Sequence, residues 1–284
     1  MVFESRQAWE ACINSLRNIK KPAGKEEIRE SLVNSIKRNI PKGKLGILFS
    51  GGIDSTFIAL VCKQLEKDFT CYCVGIENSE DLAEAQKVAE KLNLKLKTRL
   101  FSLAEAGEII KQAAKIIGKP DVLKVGVASV EYAAIGLAKK DNIKYFFSGL
   151  GSEEIFAGYQ RHLQARDINE ECWRGLLNMY ERDIERDLMI AGHFGIKLLL
   201  PFLDKEVIAN AMSLPSDQKI RNNQNKYILR HIAQDMGLNE EFAQRKKRAA
   251  QYGSKFDRAI LRLARKHKLK YKKDYLKSLL RCMV

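Results

Sequence analysis

The chain has 284 residues, of which 45% are hydrophobic and 30% charged, a composition typical of a globular protein with a sizeable core. It contains no run of 18 apolar residues and no signal-peptide hydrophobic region, so we expect no membrane span and a cytoplasmic location. The formal charge of +15 is compatible with nucleic acid, with an anionic small molecule or acidic partner, or with a solvated basic surface of no specific role.

Taken in chain order, the apolar pattern first predicts two amphipathic helices, over residues 1–20 and 25–39. Strands then alternate with helices. The predicted strands are 45–49, 69–76, 95–101 and 143–148, and the helices between them follow residue 55 and cover 81–93, 103–117 and 126–140. From about residue 160 the apolar residues recur at helical spacing, with one long helical pattern over 163–191 and a later helix over 224–236. This order predicts an α/β fold with a doubly wound parallel sheet and a helical C-terminal part.

The six cysteines and four histidines show none of the spacings typical of metal sites, so we predict neither a zinc nor an iron–sulfur centre. Cys71 and Cys73 lie two apart in a predicted strand and therefore share one of its faces. We interpret the cysteines as buried free thiols in a reducing compartment, and the histidines as structural or exposed.

The stretch LGILFSGGIDSTFIAL (residues 45–60) predicts a strand, a glycine turn and a helix in succession. This layout aims backbone N–H groups at a phosphate, and two adjacent glycines let the chain approach it closely. Ser50 and Ser55 can add hydroxyl donors, and Asp54 can hold a Mg²⁺ that bridges phosphate oxygens. No lysine follows the second glycine, so this is not the P-loop pattern. The alternative is a glycine turn that serves packing alone.

A second glycine-rich stretch, SGLGSEEIFAGY (residues 148–159), follows the fourth predicted strand. Glu153 and Glu154 are adjacent carboxylates at a strand end, where a divalent metal can lie between protein and phosphates. The competing interpretation is a helix N-terminus at which acidic residues interact favourably with the helix dipole. The two interpretations are compatible with each other.

Residues 50–55 fit S-G-G-x-D-S and resemble the motif of the ATP pyrophosphatases, or PP-loop enzymes. The second stretch resembles the S-G-[DE]-G-S-D-E-x-F-x-G-Y segment in the synthetase domain of asparagine synthetases. Further matches to that family, in its order, are VGIENSEDLAEAQKVAEKL (74–92), PFLD (201–204), KYILR (226–230) and RKK (245–247). The resemblance covers residues 25–257. It implies cleavage of ATP between the α- and β-phosphates and activation of a substrate as its adenylate.

The resemblance also implies a site. The residues that would hold pyrophosphate are Ser50, Gly51, Gly52, Asp54 and Ser55, and those that would hold Mg²⁺ are Asp54 and Glu153, the latter standing where the family has aspartate. Those that would line the adenosine are Val74, Gly75 and Ile76, and those beside the acyl-adenylate are Gly149 and Leu150. Lys226 and Lys247, with Asp54, are the catalytic candidates, since a basic group can offset triphosphate charge as the α–β bond breaks. Each lysine alone can instead be a solvated surface residue.

The chain departs from the family pattern at three places. Leu150 replaces the acidic residue of S-G-[DE]-G and cannot accept a proton from an attacking nitrogen. Residues 197–199 stand where the family carries Glu and Arg, so we expect altered contacts to the substrate. Val2 follows Met1, where a glutaminase domain needs a cysteine nucleophile, so we expect no glutaminase activity in this chain.

The leading hypothesis is an ATP- and Mg²⁺-dependent ligase of asparagine-synthetase type that adenylates aspartate or a related carboxylate and forms an amide. Free ammonia, another amine or a separate glutaminase subunit would supply the nitrogen. One alternative is a PP-loop enzyme that adenylates a tRNA base, which the charge favours and the motifs after Pro201 disfavour. Another is a nucleotide-binding relative without amidation, which Leu150 suggests.

We interpret residues 1–284 as a single domain with N-terminal helices (1–42), a nucleotide-binding core (43–160) and a helical part (161–284). The basic run at 245–248 can face phosphates or solvent. The basic tail at 262–281 can bind RNA or form a frayed surface helix, and we favour the helix because no nucleic-acid module is recognisable.

Overall fold

A computed structural model describes residues 5–19, 22–246 and 249–281. Five parallel strands form one sheet, in the order β3-β2-β1-β4-β5. They are β1 (Leu45–Leu48), β2 (Phe69–Ile76), β3 (Leu96–Phe101), β4 (Tyr145–Phe147) and β5 (Lys197–Leu199). Chain order reverses between β1 and β4, so the carboxyl ends of these two strands frame the crevice in which ligands bind in such sheets. The predicted doubly wound parallel sheet is confirmed.

Helices cover both faces of this sheet. In the described ranges they are α1 (Arg6–Arg17), α2 (Lys25–Asn39), α3 (Ile53–Gln64), α4 (Glu80–Leu92), α5 (Leu103–Ile117), α6 (Val122–Lys139), α7 (Ser152–Ile155), α8 (Gln160–Leu163), α9 (Ile168–Leu177), α10 (Glu185–His193), α11 (Lys205–Ser213), α12 (Ser216–Lys219), α13 (Tyr227–Asp235), α14 (Glu240–Ala243), α15 (Ala250–Gly253), α16 (Phe256–Lys266) and α17 (Lys272–Arg281). A π-helix covers Tyr180–Ile184, a 3₁₀ helix covers Pro201–Leu203, and a hairpin pairs β6 (Ile220–Arg221) with β7 (Gln224–Asn225).

Capping side chains set the ends of the central helices. Ser102 caps α5, and its N–H donates to Glu105 Oε2 at 2.8 Å, a reciprocal pair that confirms the predicted helix start at 103. α5 ends at Gly118, whose φ of 68° continues the chain in the left-handed region. α6 begins four residues before the predicted start, because Asp121 Oδ1 accepts the N–H groups of Leu123 and Lys124, each at 3.0 Å.

In the C-terminal part, the structure differs from several of the predictions. The helical pattern over 163–191 is divided between α8, α9, the π-helix and α10, and the later helix is preceded by the β6–β7 hairpin. β5 was missed because three residues at a sheet edge give no alternation to detect. The tail is not a frayed helix: α17 packs against α5 and α16 and buries Tyr275 and Leu276.

The two faces of the sheet carry separate apolar clusters. Cys71 and Cys73 of β2 point into the cluster that also holds α1, α2 and α3, as predicted from their spacing. Tyr72 and Val74 point the opposite way, toward α5, α6 and α16. All five cysteines within the described part are free. None of the described helices is both long and apolar enough to cross a membrane.

A buried tryptophan helps to hold the N-terminal helix against the C-terminal part. Trp9 of α1 is fully buried, and its Nε1 donates to the Leu176 carbonyl oxygen of α9 at 2.7 Å. Burying an indole ring removes a large apolar surface from water, and its N–H has found the partner it needs there. Residues from both ends of the chain therefore share one core.

The Trp9→Ala substitution should lower the free energy of unfolding by about 3–5 kcal/mol, because it leaves a cavity and an unpaired carbonyl. Chemical denaturation followed by circular dichroism measures this change. The control is Ile19→Ala at a side chain that is 46% exposed, for which we expect less than about 1 kcal/mol. A loss of similar size in both variants would contradict the packing described, and a second transition in the wild type would contradict the single-domain prediction.

Candidate active site

The loop between β1 and α3 has the backbone of a phosphate-binding turn. Gly51 has a φ of 67°, and a Cβ there would lie 2.9 Å from backbone atoms of Glu84, so no other residue fits without movement. Gly52 is the N-cap residue of α3 and has no side chain to occupy the free N–H groups of the first turn. Asp54 and Ser55 are buried in that turn. The loop therefore presents backbone donors and a carboxylate at the carboxyl end of β1.

A buried ammonium group joins three separate parts of the chain here. Lys226 Nζ donates to both carboxylate oxygens of Asp54, at 2.7 and 2.8 Å, and to Ser152 Oγ at 3.0 Å. It also lies 2.9 Å from Glu153 Oε1. The side chains of Lys226 and Asp54 are each only 3% exposed, and that of Glu153 is 18% exposed. Asp54, Glu153 and Lys226, predicted from three distant motifs, thus meet at one point.

Local backbone conformation places Lys226 at this point. It is the residue before α13 and has a φ of 57°, and its N–H donates to the Phe156 carbonyl oxygen at 3.2 Å. Asn225 Nδ2 donates to the carbonyl oxygens of Ala157 and Tyr159, at 2.5 and 3.2 Å. These bonds hold the β6–β7 hairpin against the segment that follows α7 and so fix the position from which the Lys226 ammonium contacts the carboxylates.

Two glycines of the second motif leave the room that this arrangement needs. A Cβ on Gly149 would lie 2.9 Å from Asp54 Cβ. A Cβ on Gly158 would lie 1.8 Å from Glu153 Oε2 and 2.4 Å from Lys226 Cε. Side chains at either position would displace the carboxylates, which explains the glycines of SGLGSEEIFAGY by close packing.

A cavity of about 230 Å³ opens beside the phosphate loop. Of the predicted site residues it is lined by Ser50, Asp54, Ser55, Val74, Gly149, Leu150 and Glu153. Gly75 packs against Ser79 instead, and Ile76 lines a separate cavity of about 170 Å³ together with Lys255 and Arg258. Lys226 is buried behind the two carboxylates rather than exposed to the cavity, and Lys247 lies outside the described residues.

The roles of two groups of residues in or near the cavity were not predicted from the sequence. Arg245 Nη1 donates to the Ser50 carbonyl oxygen at 2.9 Å, and Nη2 lies 3.4 Å from Asp81 Oδ1, so this arginine supports the phosphate loop. The other group is a set of buried acidic side chains, which we call the acidic wall: Glu131, Glu154, Asp183 and Asp187. Two signals were available in the sequence: Glu154 stands next to Glu153 at a strand end, and Glu131 is the only acidic residue in the apolar helix α6.

Burial raises the pKa values of the acidic wall. The pKa of the Glu131 carboxyl is raised well above its usual range by burial and by the charge of Asp187. Burial also raises the pKa of Asp187, although the Arg186 guanidinium opposes this. The pKa of Glu154 is raised to about 7 by burial, against the lowering effect of Arg182. The wall therefore retains a proton at neutral pH.

The carboxylates near Lys226 suit Mg²⁺ shared with a phosphate. Hard oxygen donors are the ligands of this ion, which is usually held through one or two carboxylates together with substrate phosphates. Asp54 and Glu153 are two such carboxylates, and both line the cavity beside the loop. No group of three or more His, Cys, Asp or Glu side chains that could cage a metal occurs within the part of the chain that the structure describes. The donor set fits a cation that a phosphate helps to hold.

The sheet order and the glycine loop at its switch point define a doubly wound α/β protein with a ligand crevice between β1 and β4. The family model described as Asparagine synthase matches residues 27–168 and 163–281. The chain therefore belongs to the asparagine synthase family.

Several curated relatives carry that name. "Putative asparagine synthetase (glutamine-hydrolyzing) 1" of Methanocaldococcus jannaschii is 33% identical over 88% of this chain and 54% of its own length. Asparagine synthetase (glutamine-hydrolyzing) of Gallus gallus is 31% identical over 75% of this chain and 40% of its own length. Asparagine synthetase B (glutamine-hydrolyzing) of Escherichia coli is 29% identical over 72% and 41%. The chain thus spans about half the length of the relatives it matches, or less.

Among solved structures, NMN synthetase from Francisella tularensis aligns with 92% of this chain and 94% of its own, at 12% identity and a TM-score of 0.44. A likeness at this level supports no statement about ligands or reaction.

The Lys226→Met substitution should lower the free energy of unfolding by about 3–5 kcal/mol, because it removes a buried ammonium that pairs with the carboxylates of Asp54 and Glu153. Thermal and chemical denaturation measure this loss. Lys95→Met is the matched control, since Lys95 pairs with Asp68 at the surface with both side chains more than 70% exposed, and should cost less than about 1 kcal/mol. Equal, small losses would show that the ammonium does not hold the carboxylates.

Gly158→Ala should displace Glu153 and Lys226 and lower the free energy of unfolding by about 1–3 kcal/mol, the usual cost of overpacking. The control is Gly192→Ala in α10, where a new Cβ would meet nothing within 4 Å. We expect that control to be neutral or more stable by up to about 1 kcal/mol. The same denaturation curves report both, and a neutral Gly158→Ala would contradict the close packing around Glu153.

Proposed function

We propose that the chain is an ATP-dependent, AMP-forming ligase of asparagine-synthetase type. A carboxylate, aspartate or a relative of it, would attack the α-phosphate of ATP to give an acyl-adenylate and pyrophosphate. A nitrogen nucleophile would then displace AMP and leave an amide. Family membership supports this proposal, and its main structural support is the meeting of Asp54, Glu153 and Lys226 beside the glycine loop.

Each part of the site has a task under this proposal. The first-turn N–H groups of α3 and the hydroxyls of Ser50 and Ser55 would bind the pyrophosphate that leaves. Asp54 and Glu153 would hold Mg²⁺, which when bound supplies positive charge to the phosphate oxygens. Val74 would lie against the nucleoside, since it lines the cavity and faces α6. The glycine loop would thus bind the phosphates, while the cavity would receive the nucleoside and the acyl group.

The sequence suggested that Lys226 offsets the charge of the triphosphate, but its contacts favour a different role. The Lys226 ammonium already pairs with the carboxylates of Asp54 and Glu153, so its charge is largely neutralised before a substrate arrives. We propose that it positions Asp54 and Glu153 rather than contacting the triphosphate. Lys247 remains a candidate for the triphosphate contact on sequence grounds alone.

The candidates for the nitrogen donor are taken from the family resemblance and not from the shape of the cavity. Ammonia, another amine or a separate glutaminase subunit would supply it, and Leu150 lines the cavity without offering a proton acceptor. We place the reaction in the cytoplasm, which the free thiols support.

Pyrophosphate release from ATP and Mg²⁺ across a panel of amino acids with ammonia tests the proposal. We expect release that requires one carboxylate acceptor and yields AMP and an amide. Release only with tRNA would favour base adenylation, and nucleotide binding without release would favour a non-catalytic relative. Either result would contradict the ligase proposed here.

Asp54→Asn should slow that release about 10²-fold or more, because the amide keeps the shape of the carboxylate but loses the charge that pairs with a cation. Asp68→Asn is the control, an exposed aspartate paired with a lysine on the surface, and should keep the wild-type rate. Melting temperatures of both variants separate a catalytic loss from unfolding. Full activity of the Asp54→Asn variant would contradict the proposed contact between Asp54 and the metal ion.

A further inference from the structure

The C-terminal segment over residues 255–281 concentrates the positive charge of the chain. It holds eleven Lys or Arg residues and two acidic residues, so it carries +9 of the formal charge of +15. Both acidic side chains are already paired: Asp257 accepts from Lys272 Nζ at 2.6 Å, and Asp274 lies 3.9 Å from Lys277 Nζ. The proposed ligase chemistry gives no task to this segment.

Helix α16 has an apolar side and a basic side. The apolar side is buried in the cluster shared with α5 and α6, and it consists of Phe256, Ala259, Ile260, Leu263 and Ala264. Arg258, Arg262 and Arg265 follow one another at intervals of four and three residues, so they lie together on the opposite side of the helix. We call the exposed cations of this region the basic strip: Arg258, Arg262, Arg265, Lys266, Lys268 and Lys270.

The basic strip lacks the counter-ions that exposed cations have elsewhere on this protein. On the exposed strand β3, Lys97 pairs with Asp141 at 2.5 Å and Arg99 pairs with Glu105 at 2.8 Å. No residue of the strip pairs with a carboxylate of residues 5–19, 22–246 or 249–281. Solvated surfaces normally intersperse both signs of charge, whereas a surface of one sign attracts a ligand of the opposite sign. The strip therefore indicates a binding surface for an anion.

A small cavity adjoins one end of the strip. It has a volume of about 170 Å³, lies at the carboxyl end of β2, and is lined by Arg258, Arg262 and Lys255, with Glu77 as an acidic neighbour. Lys255 Nζ donates to Glu80 at 2.7 Å, so its charge is already shared. The two guanidinium groups, one helical turn apart, are left to bind a phosphate there.

Two exposed tyrosines precede and follow α16 in the chain. Tyr252 is 45% exposed and Tyr271 is 58% exposed, and Lys270 Nζ lies 5.2 Å from the centre of the Tyr271 ring. Surfaces that bind single-stranded nucleic acid combine cations for the phosphates with aromatic rings on which bases stack. A membrane surface fits less well, because the apolar side of α16 is already buried against the protein. An acidic polypeptide offers no bases for the two rings.

We propose that the basic strip, together with Tyr252 and Tyr271, binds single-stranded segments of RNA. RNA presents phosphates together with unpaired bases, which are the two groups that this surface can bind. The cavity would receive one phosphate between Arg258 and Arg262. This proposal goes beyond the ligase reaction and does not require the bound RNA to be its substrate.

Fluorescence anisotropy with a labelled, unstructured RNA oligonucleotide tests the proposal over a series of salt concentrations. Combining Arg258→Gln with Arg262→Gln should weaken binding about tenfold or more, and should lower the slope of log affinity against log salt by about 1.4, since each lost phosphate contact removes about 0.7. The matched control combines Arg29→Gln with Arg38→Gln, two exposed arginines of α2 that pair with carboxylates. It removes the same charge and should stay within about twofold of the wild type.

Tyr271→Ala tests the stacking separately from the charge. We expect it to weaken binding of the single-stranded RNA about fivefold or more and to leave binding of a duplex of the same sequence unchanged, because a duplex offers no unpaired bases. Melting temperatures show that each variant is folded. An equal effect on both ligands, or on neither, would contradict the stacking.

The proposal is wrong if the wild type does not bind the RNA at low salt. It is also wrong if both arginine pairs lose affinity equally, because net charge alone would then explain the binding. Displacement of the RNA by poly-L-glutamate as readily as by unlabelled RNA would instead indicate an acidic protein partner, and tighter binding of single-stranded DNA would exclude RNA as the preferred ligand. Pyrophosphate release is measured independently, so failure of the ligase proposal leaves these results unaffected.

Discussion

The contact between the Lys226 ammonium and the carboxylates of Asp54 and Glu153 is the interaction on which the candidate site depends. Both carboxylates contact the same ammonium, and Asp54 is almost fully buried, so they would repel each other without a cation between them. The lysine allows them to face one cavity together, where they are the proposed ligands of a divalent cation. Three elements distant in sequence meet in this contact, so the geometry of the phosphate loop is tied to the helical C-terminal part.

Other elements of the fold hold the residues of that contact in position. The sheet order brings the carboxyl ends of β1 and β4 side by side, which places the glycine loop against the second glycine motif. The β6–β7 hairpin sets the left-handed conformation of Lys226 and anchors it to residues 156–159. Arg245 supports the loop from the other side, through the Ser50 carbonyl oxygen. The backbone of the site is held by hydrogen bonds from several elements, a property expected of a preorganised phosphate site.

Much of this arrangement was predictable from the sequence, and the reasons for the exceptions are physical. Alternating strands and helices identified the sheet, and the motif around Asp54 and Glu153 identified the loop, because both depend on local patterns. The position of Lys226 behind the carboxylates was not predictable, since it depends on the packing of a short hairpin. The acidic wall was not predicted as a unit because it is assembled from α6, α7, the π-helix and α10, and only Glu154 and the lone Glu131 of an apolar helix signalled it.

A crystal structure with a non-hydrolysable ATP analogue and Mn²⁺ in place of Mg²⁺ tests the central claim most directly, since the anomalous signal of manganese locates the ion without ambiguity. The account predicts a manganese peak roughly 2–2.5 Å from carboxylate oxygens of Asp54 and Glu153, with phosphate oxygens completing its coordination. A peak elsewhere in the cavity, with Lys226 still holding both carboxylates and the phosphates away from the glycine loop, would contradict it.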